Sequence, residues 1–230
     1  MPDNKTVYAH HGNEYEALIA REDYQNNILS VLRDIASLEN RTVLDLGAGT
    51  GRLARMLAPL AAHVHAFDIA PDMLRVCREK LAESGLSNWE VNIADHRQLP
   101  VDDACADLIV SGWSVSYLAV WNPDSWRAEL DRALAEMYRV LKPGSFIILL
   151  ESLGTGNESP VRLDHLGNFY SWLDESGFRK KWIRTDYMFE SLDEAEYLSR
   201  FFFGDELGDK VREKNWVVLP ECTGVWWKEI

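Results

Sequence analysis

The feature that most constrains this 230-residue chain is a glycine-rich turn directly after a short apolar run. The run Thr42–Leu46 predicts a strand buried on both faces, and three alternating glycines follow it, Gly47, Gly49 and Gly51. Apolar residues at helical spacing come next. Glycine permits positive φ and lets a ligand lie against bare backbone. The pattern therefore predicts a strand, a ligand-contacting turn and a helix whose first N–H groups can receive an anionic ligand group.

Three later apolar runs also end in residues suited to a site. His63–Asp68 ends in a carboxylate, Trp89–Ile93 leads to Asp95, and Ala106–Ser111 breaks at Gly112. Parallel strands with right-handed helical connections have their carboxyl ends at one edge of the sheet, which is where ligands bind. These strand ends are therefore expected to surround one crevice.

These stretches resemble the motifs of the class I S-adenosylmethionine-dependent methyltransferases, in particular small-molecule enzymes similar to methyltransferase types 11 and 25. Thr42–Arg52 is similar to the family's first motif, and Arg139–Gly144 is similar to its junction before the fifth strand. The resemblance spans roughly Asn40 to Leu150. It implies an α/β fold with a Rossmann-like, doubly wound, seven-stranded sheet. That sheet is expected to be mostly parallel with an antiparallel last strand, and to have helices on both faces.

The chain is predicted to divide into two parts. Residues 1–38 are expected to form an N-terminal helical segment that packs on the domain, because apolar residues recur there at helical spacing. Residues 39–230 are expected to form the methyltransferase domain. A helical insertion is predicted near residues 190–214, where Ser191–Glu194 has the pattern of a capping box.

S-adenosylmethionine is the cofactor that the resemblance implies. By that likeness Asp45 serves the methionine end, Asp68 accepts hydrogen bonds from the ribose hydroxyls, and Asp95 accepts one from the adenine amino group. Tyr8 and Tyr15 lie in a segment that either folds over the cofactor or presents surface aromatics. The predicted cofactor-binding residues are Asp45, Gly47, Ala48, Gly49, Thr50, Gly51, Asp68, Ile69, Met73, Ala94, Asp95, His96, Ser111, Gly112 and Trp113.

The function implied is transfer of the sulfonium methyl group to a small-molecule acceptor. This transfer depends mainly on placing the nucleophile near the methyl group, so a general base is optional. The candidates for such a base are His96, Tyr117, Asp186 and Tyr187. Ser111–Tyr117 lacks the acidic, proline-rich motif of enzymes that methylate nucleobase or amide nitrogens, which disfavours those acceptors.

Aromatic residues are unusually frequent in this chain, which has nine tryptophans. One group of them is predicted either to line an apolar acceptor pocket or to cover the sheet edge or a dimer surface. The members of that group are Trp113, Phe201, Phe202, Phe203, Trp226 and Trp227.

Two other functions remain open at this point. One is a non-enzymatic module that binds S-adenosylmethionine or S-adenosylhomocysteine. The other is a nicotinamide-dependent oxidoreductase, because Tyr138 and Lys142 have the spacing of a short-chain dehydrogenase's catalytic pair. Pro143 counts against it, since the residue before a proline avoids the α-helical region. Arg52 also stands where a dinucleotide-binding fingerprint has its last glycine.

Charge and composition restrict the partners. A formal net charge of −13 repels polyanions, and the basic cluster Arg179–Lys181 with Arg184 is interpreted as a solvated strand end, so nucleic acid is disfavoured.

His63 and His65 share a strand face but are interpreted as packed histidines, and no metal is predicted. No stretch approaches the ~20 apolar residues of a membrane span. The prediction is a cytoplasmic protein, monomeric or homodimeric, with reduced cysteines.

Overall fold

The computed structural model describes residues 10–230, and a mostly parallel sheet runs through the middle of them. In chain order the strands are β1 (Thr42–Leu46), β2 (His63–Asp68), β3 (Trp89–Ile93), β4 (Ala106–Gly112), β5 (Leu141–Thr155), β6 (Arg179–Arg184), β7 (Tyr187–Met188), β8 (Val218–Leu219) and β9 (Glu221–Glu229). A 7-stranded sheet has the order β3-β2-β1-β4-β5-β9-β6, while β7 and β8 pair with each other.

The helices alternate with the strands through the first half of the chain. They are α1 (Gly12–Ile19), α2 (Asn27–Ile35), α3 (Arg52–Leu57), α4 (Pro71–Glu83), α5 (Tyr117–Val120), α6 (Trp126–Val140), α7 (Gly167–Glu175), α8 (Leu192–Phe203) and α9 (Asp205–Lys214). The N-cap of α8 is Ser191, whose hydroxyl accepts the Glu194 N–H at 3.1 Å, which is one of the two bonds of the predicted capping box. The Glu194 carboxylate accepts the Glu190 N–H at 2.6 Å, one residue before the N-cap. None of the helices in residues 10–230 has the length and apolarity needed to cross a membrane.

The strand register confirms the predicted sheet. Leu44 lies opposite His65 of β2 and Ile109 of β4, and both pairings are parallel. β9 is antiparallel to its two neighbours, with Trp227 opposite Ile148 of β5. The sheet is therefore Rossmann-like and mostly parallel with an antiparallel last strand, and the carboxyl ends of β1 to β4 share one edge.

Helices cover both faces of the sheet, as predicted. On one face α2, α3 and α4 bury residues such as Leu32 and Leu57 against the strands. On the other face α5, α6 and α7 bury Leu130, Met137 and Trp172. A smaller group, which we call the cap cluster, joins α1 and the β7–β8 pair to α8 and α9. It consists of Leu18, Tyr187, Phe189, Ala195, Leu198, Val211 and Leu219.

The basic cluster lies on β6, which is an edge strand of the sheet. Arg179–Lys181 begin this strand and Arg184 ends it. Three of its cations are paired with acids: Lys180 with Asp174, Lys181 with Asp34, and Arg184 with Asp186. This local pairing offsets much of the cluster's positive charge.

The dehydrogenase-like pair is not on one helix. α6 ends at Val140, and Lys142 lies in β5, where its Nζ is 2.9 Å from Asp107 Oδ1. The helical spacing between Tyr138 and Lys142 is therefore lost. The effect expected of Pro143 is present, because the chain has left the helix before the proline.

Candidate active site

The glycine-rich turn Gly47–Gly51 joins β1 to α3 at the carboxyl edge of the sheet. Gly47 and Ala48 both donate their N–H to Phe67 O at 2.8 Å, which ties the turn to the end of β2. The glycines at 47, 49 and 51 have φ of +71°, +54° and +85°, a region that other residues rarely adopt. At Gly47 space matters as well, because a Cβ there would lie 1.8 Å from Ser114 Oγ.

Asp68 ends β2 and braces this turn. Its Oδ2 accepts the Gly49 N–H at 2.9 Å, and its Oδ1 accepts the Ala70 N–H at 2.8 Å. A carboxylate offers about four acceptor positions, so two remain available to the hydroxyl groups of a ligand. Contact between Asp68 and ribose hydroxyls stays a prediction that this geometry permits.

A cavity of about 650 Å³ opens beside the turn, and we call it the glycine-loop cavity. Its size falls within the range of roughly 300–1,000 Å³ typical of small-molecule sites. The structure brings together on its wall most of the predicted cofactor-binding residues, which come from the ends of β1 to β4 and from the start of α4. These are Gly47, Gly49, Asp68, Ile69, Met73, Ala94, Asp95, His96, Gly112 and Trp113.

The other predicted cofactor-binding residues are not among those on the cavity wall: Asp45, Ala48, Thr50, Gly51 and Ser111. Asp45 is buried and its Oδ2 accepts the Ala54 N–H of α3 at 2.9 Å. Ser111 Oγ donates to Leu46 O at 2.5 Å, between β4 and β1. A Cβ on Gly51 would lie 2.6 Å from Cys77 Sγ of α4. Asp45 and Ser111 therefore support the turn from behind it, whereas Ala48, Thr50 and Gly51 belong to the turn itself. Contact of these five residues with the cofactor stays a prediction.

Asp95 on the cavity wall is paired with a residue that sequence reasoning missed. Its Oδ1 accepts hydrogen bonds from the N–H and the Nε–H of Arg97 at 2.9 and 2.7 Å, and its Oδ2 pairs with the same guanidinium. These hydrogen bonds lower the pKa of Asp95. Arg97 also bonds Glu129 of α6 and lines the cavity itself. The carboxylate is therefore ionised and its charge is locally balanced.

A second cavity of about 450 Å³ adjoins the first, and we call it the glutamate cavity. Three buried acids lie on its wall: Glu22 of the α1–α2 connection, Glu151 of β5 and Glu221 of β9. The two cavities have four aromatic residues in common, Tyr15, Trp113, Tyr117 and Trp121. A ligand in one cavity is therefore separated from a ligand in the other only by a shared aromatic boundary.

The acids of the glutamate cavity have unusual proton affinities. Burial raises the pKa of Glu151 to about 7 and that of Glu221 to about 8. Glu221 Oε1 accepts a hydrogen bond from Ser152 Oγ at 2.7 Å, and Glu151 Oε1 accepts one from the Ser152 N–H at 2.9 Å. Glu22 forms an ion pair with Arg52, whose guanidinium also lies 3.9 Å from the centre of the Trp113 ring.

The four candidates for a general base fall in different places. His96 lies on the glycine-loop cavity, where its Nε2 is 2.9 Å from Ser114 Oγ and burial lowers its pKa. Tyr117 lines both cavities. Tyr187 lines the glutamate cavity, and burial raises its pKa well above the usual value.

Asp186 is the candidate that the structure does not support as a base. It is not among the residues on either cavity wall. Its two oxygens accept hydrogen bonds from Arg184 at 2.7 and 2.9 Å, and Oδ1 also accepts the Glu221 N–H at 2.9 Å. Asp186 therefore positions the start of β9 instead of facing a ligand.

Three of the six aromatic residues line a cavity, and the other three pack elsewhere in the protein. Trp113, Phe202 and Phe203 line the glutamate cavity. Trp226 is buried in the core and stacks on Tyr170, with ring centroids 5.8 Å apart. Trp227 packs on the opposite core, and Phe201 meets His11 edge to face. Of the segment expected to fold over the cofactor, Tyr8 lies outside the described residues, whereas Tyr15 lines both cavities.

The two strand histidines acquire a third neighbour in the fold. His63, His65 and Glu90 place one possible ligand atom each within 4.8 Å of one another. His65 Nδ1 already forms a hydrogen bond with Glu90 Oε1 across the β2–β3 pair. The histidine rings lie 4.6 Å apart, centroid to centroid. This bonding accounts for the cluster as a packed, hydrogen-bonded group, and the expectation that no metal binds stays a prediction.

One of the three missed glutamates had a signal in the sequence. Glu151 follows the apolar run of residues 146–150, in the same way that Asp68 and Asp95 follow theirs. Glu22 and Glu221 had none, because one lies in a helix connection and the other begins the last strand after Pro220. Only the folded chain brings these acids to one cavity.

Comparison with known proteins identifies relatives of this fold and site. Residues 43–144 match the model of a family described as methyltransferase domain. A malonyl-[acyl-carrier protein] O-methyltransferase of Serratia marcescens is 34% identical over 132 residues, 57% of this chain and 44% of that protein. A ubiquinone/menaquinone biosynthesis C-methyltransferase of Coxiella burnetii is 32% identical over 163 residues, 65% of this chain and 61% of that protein. The chain thus spans about half the length of these relatives.

Solved structures share the fold at low sequence identity. A SAM dependent methyltransferase from Aquifex aeolicus aligns with a TM-score of 0.58 and 18% identity, over 99% of this chain and 94% of that one. A Haemonchus contortus phosphoethanolamine N-methyltransferase, in complex with phosphomonomethylethanolamine and S-adenosylhomocysteine, gives 0.62 and 17%, over 99% and 59%. The [4+2]-cyclase SpnF gives 0.57 and 18%, over 89% and 81%. The fold is therefore shared by proteins of different named activities.

Proposed function

The chain belongs to the class I S-adenosylmethionine-dependent methyltransferases, and from that membership we propose that it transfers a methyl group from S-adenosylmethionine to a small molecule. The observation that best supports the proposal is the pair of adjoining cavities at the carboxyl edge of the sheet. One of them has the glycine turn and Asp68 on its wall, and the other has room for an acceptor. A transfer between two bound molecules needs this adjacency.

The residues of the glycine-loop cavity fit a nucleoside with a positive charge and no phosphate. A Cβ on Gly49 would meet only Tyr15 Cε1, at 4.0 Å, so the turn leaves its backbone open to a ligand there. Asp45 stands behind the turn with its Oδ1 buried and without a hydrogen bond from the described residues. A carboxyl group in that position disfavours an anionic pyrophosphate in front of it. Asp68 and Asp95 remain the proposed partners of the ribose and the adenine.

When bound, S-adenosylmethionine supplies a methyl group that its sulfonium sulfur has already activated. The protein then has to exclude water and to align the nucleophile, which can provide most of the rate acceleration. Tyr15, Trp113, Tyr117 and Trp121 lie between the two cavities. We assign to them the alignment of the two ligands across this boundary. His96, Tyr117 and Tyr187 remain the candidates for an optional base, worth roughly 10²–10⁴-fold in rate when present.

Two measurements test the proposal in sequence. Calorimetric titration with S-adenosylhomocysteine and with NADH is expected to give saturable binding of the first and no heat from the second; the reverse would support an oxidoreductase. Transfer of label from methyl-labelled S-adenosylmethionine into a metabolite extract is then expected, with the label in a small-molecule fraction. Cofactor binding without any labelled product would support a non-enzymatic binding module instead.

We also propose that the protein acts in the cytoplasm, as a monomer or a homodimer, on a small-molecule acceptor and without a nucleic-acid partner. The net charge of −13 supports the last point, because it repels polyanions at long range. Light scattering after size exclusion gives the mass in solution. A mass above that of a dimer, or label in an RNA fraction, would contradict this part of the proposal.

A further inference from the structure

The glutamate cavity concentrates acidic side chains inside the protein. Its three acids are each at most 8% exposed. They share the wall with Arg52, which is paired with Glu22, and with His165. Glu151 and Glu221 form no ion pair with any of the described residues. Burial of carboxyl groups without a cationic partner is costly, so the cavity favours a ligand that brings the missing positive charge.

The hydrogen bonding of these acids is also incomplete. Glu221 Oε1 has the Ser152 hydroxyl as a donor, but Glu221 Oε2 is buried and accepts no hydrogen bond from the described residues. Glu22 Oε1 is also buried and accepts no hydrogen bond from the described residues. Buried polar atoms of this kind are rare in native proteins, because the loss of hydration is not offset. A ligand with N–H donors would supply the bonds that the protein leaves unmade.

The aromatic side chains on the wall of the glutamate cavity also favour a cationic ligand. Tyr117 and Trp121 stack with ring centroids 4.6 Å apart, and both line the cavity. Aromatic faces attract positive charge, and Arg52 already lies over Trp113 on the same wall. The cavity therefore combines unpaired carboxyl groups with aromatic surfaces, which together favour an ammonium group over an anion or an uncharged hydroxyl.

We propose that the methyl acceptor is a primary or secondary amine whose protonated nitrogen enters the glutamate cavity and binds to the carboxylates of Glu151 and Glu221. The inference rests on the proposed methyltransferase function and names the substrate class of that site. An aliphatic amine differs from the amide and nucleobase nitrogens that Ser111–Tyr117 disfavours, since it is charged at neutral pH. A carboxylate acceptor is disfavoured, because it forms no ion pair with the same acids.

The transfer then proceeds in two steps. One carboxylate takes a proton from the ammonium group, which leaves a neutral nitrogen with a free electron pair. That pair forms a bond to the sulfonium methyl carbon while the carbon–sulfur bond breaks, and its electrons stay on sulfur as a neutral thioether. The product nitrogen carries the positive charge, and the protonated carboxyl group returns its proton to water. A pKa of about 7 for Glu151 or about 8 for Glu221 suits a base that works near neutral pH.

The test uses the full chain saturated with S-adenosylhomocysteine and three probes of one shape: benzylamine, benzyl alcohol and benzoate. Calorimetry at pH 7 is expected to give benzylamine at least about tenfold tighter binding than the alcohol, with benzoate the weakest. Hexylamine and hexanol repeat the comparison with an aliphatic pair. Amine binding is also expected to release protons, measured in two buffers of different ionisation enthalpy, because the ammonium favours the ionised carboxylates. The other titratable groups on this wall are Tyr15, Glu22, Arg52, Tyr117, His165 and Tyr187.

The variant Glu221→Gln identifies the source of the effect. It is expected to weaken benzylamine binding at least about tenfold and to reduce the proton release, while the affinities for benzyl alcohol and for S-adenosylhomocysteine change less than about twofold. The exposed Glu83→Gln on α4 is the matched control and is expected to behave as wild type. If Glu221→Gln does not fold, Glu151→Gln takes its place. A purely structural role would weaken the amine and the alcohol alike.

The outcomes separate the two proposals. Failure of S-adenosylhomocysteine to bind the wild-type chain contradicts the methyltransferase function. Normal binding of S-adenosylhomocysteine, together with amines that bind no better than their alcohols or with a preference for benzoate, overturns the amine inference alone. Preferential amine binding that Glu221→Gln abolishes supports it.

Discussion

The two cavities lie side by side and are built in opposite ways. The wall of the glycine-loop cavity comes largely from the ends of β1 to β4, and backbone N–H groups of its turn are held by Asp68 and by Phe67 O. The wall of the glutamate cavity is made of side chains from distant parts of the chain, including Glu22 and Phe202. A cavity wall made of backbone has a shape that the fold fixes. Side chains on the other wall can be replaced without a change in the fold. Under the proposed function, this difference is what we expect if the common cofactor binds in the first cavity and a particular acceptor binds in the second.

The two cavities also differ in the pKa values of the acids on their walls. The hydrogen bonds of Arg97 lower the pKa of Asp95, so this carboxylate is ionised before a ligand arrives. Burial instead raises the pKa of Glu151 and of Glu221. These groups can therefore lose or keep a proton according to the charge of the ligand that binds. The first cavity is preorganised, and the second is expected to change protonation when its ligand binds.

The largest expected effect is on the backbone-built cavity. Gly47→Ala is predicted to weaken S-adenosylhomocysteine binding by about 100-fold or more, because the strained φ alone costs roughly 1–3 kcal/mol before the clash with Ser114 is counted. Gly85→Ala is the matched control: Gly85 has φ of +70°, and a Cβ there meets nothing within 4 Å. Calorimetry should show normal binding by the control. The double variant Gly47→Ala/Ser114→Gly should recover part of the affinity. Equal losses in both single variants would count against the crowding argument.

The next effect concerns the carboxylate that braces the turn. Asp68→Ala is expected to weaken S-adenosylhomocysteine binding by about 1–3 kcal/mol, the scale of hydrogen bonds lost from a charged acceptor. Asp34→Ala, which removes an exposed surface acid, is the control. Calorimetry of both variants measures the difference. An unchanged dissociation constant in a folded Asp68→Ala protein would remove Asp68 from the site.

A pH effect on stability distinguishes the second cavity. The pKa of Glu221 is about 8 in the folded chain, above its ordinary value of 4.5, so its contribution to stability is present at low pH and is lost as the pH rises towards 8. Glu221 is expected to contribute a loss of about 1–2 kcal/mol in urea unfolding without ligand between pH 6.5 and 8, since one pKa unit corresponds to about 1.4 kcal/mol. Glu221→Gln should remove this share of the pH dependence and leave that of Glu151, and Glu83→Gln should remove none of it. Parallel curves for wild type and Glu221→Gln would show that this acid is ionised in the fold.

The smallest effect is expected from the hydrogen bond between His96, in the loop after β3, and Ser114, in the loop after β4. Ser114→Ala removes the 2.9 Å contact between Ser114 Oγ and His96 Nε2. A single neutral hydrogen bond contributes about 0.5–1.5 kcal/mol, so S-adenosylhomocysteine affinity should fall only about 2- to 10-fold. A loss comparable to that of Gly47→Ala would mean that Ser114 contacts the ligand directly.

The contrast also explains what the sequence could reveal. The positions of Gly47, Asp68 and Asp95 on one cavity follow from local patterns, because strand ends in a parallel sheet share one edge. The same patterns could not separate residues on the cavity wall from those behind the turn, such as Asp45, which accepts the Ala54 N–H of α3. Its contact with the cofactor, direct or through water, stays a prediction. Glu221 could not be predicted, because its position depends on how β9 pairs with β5 and β6.

A crystal structure of the chain with S-adenosylhomocysteine would show whether the two ligands can meet between the two cavities. We expect the ligand in the glycine-loop cavity, its amino-acid end against Gly47 and Gly49, its ribose at Asp68, and its sulfur facing the glutamate cavity across Trp113 and Tyr117. A ligand bound elsewhere, or one in this cavity with its sulfur turned away from the glutamate cavity, would contradict this expectation.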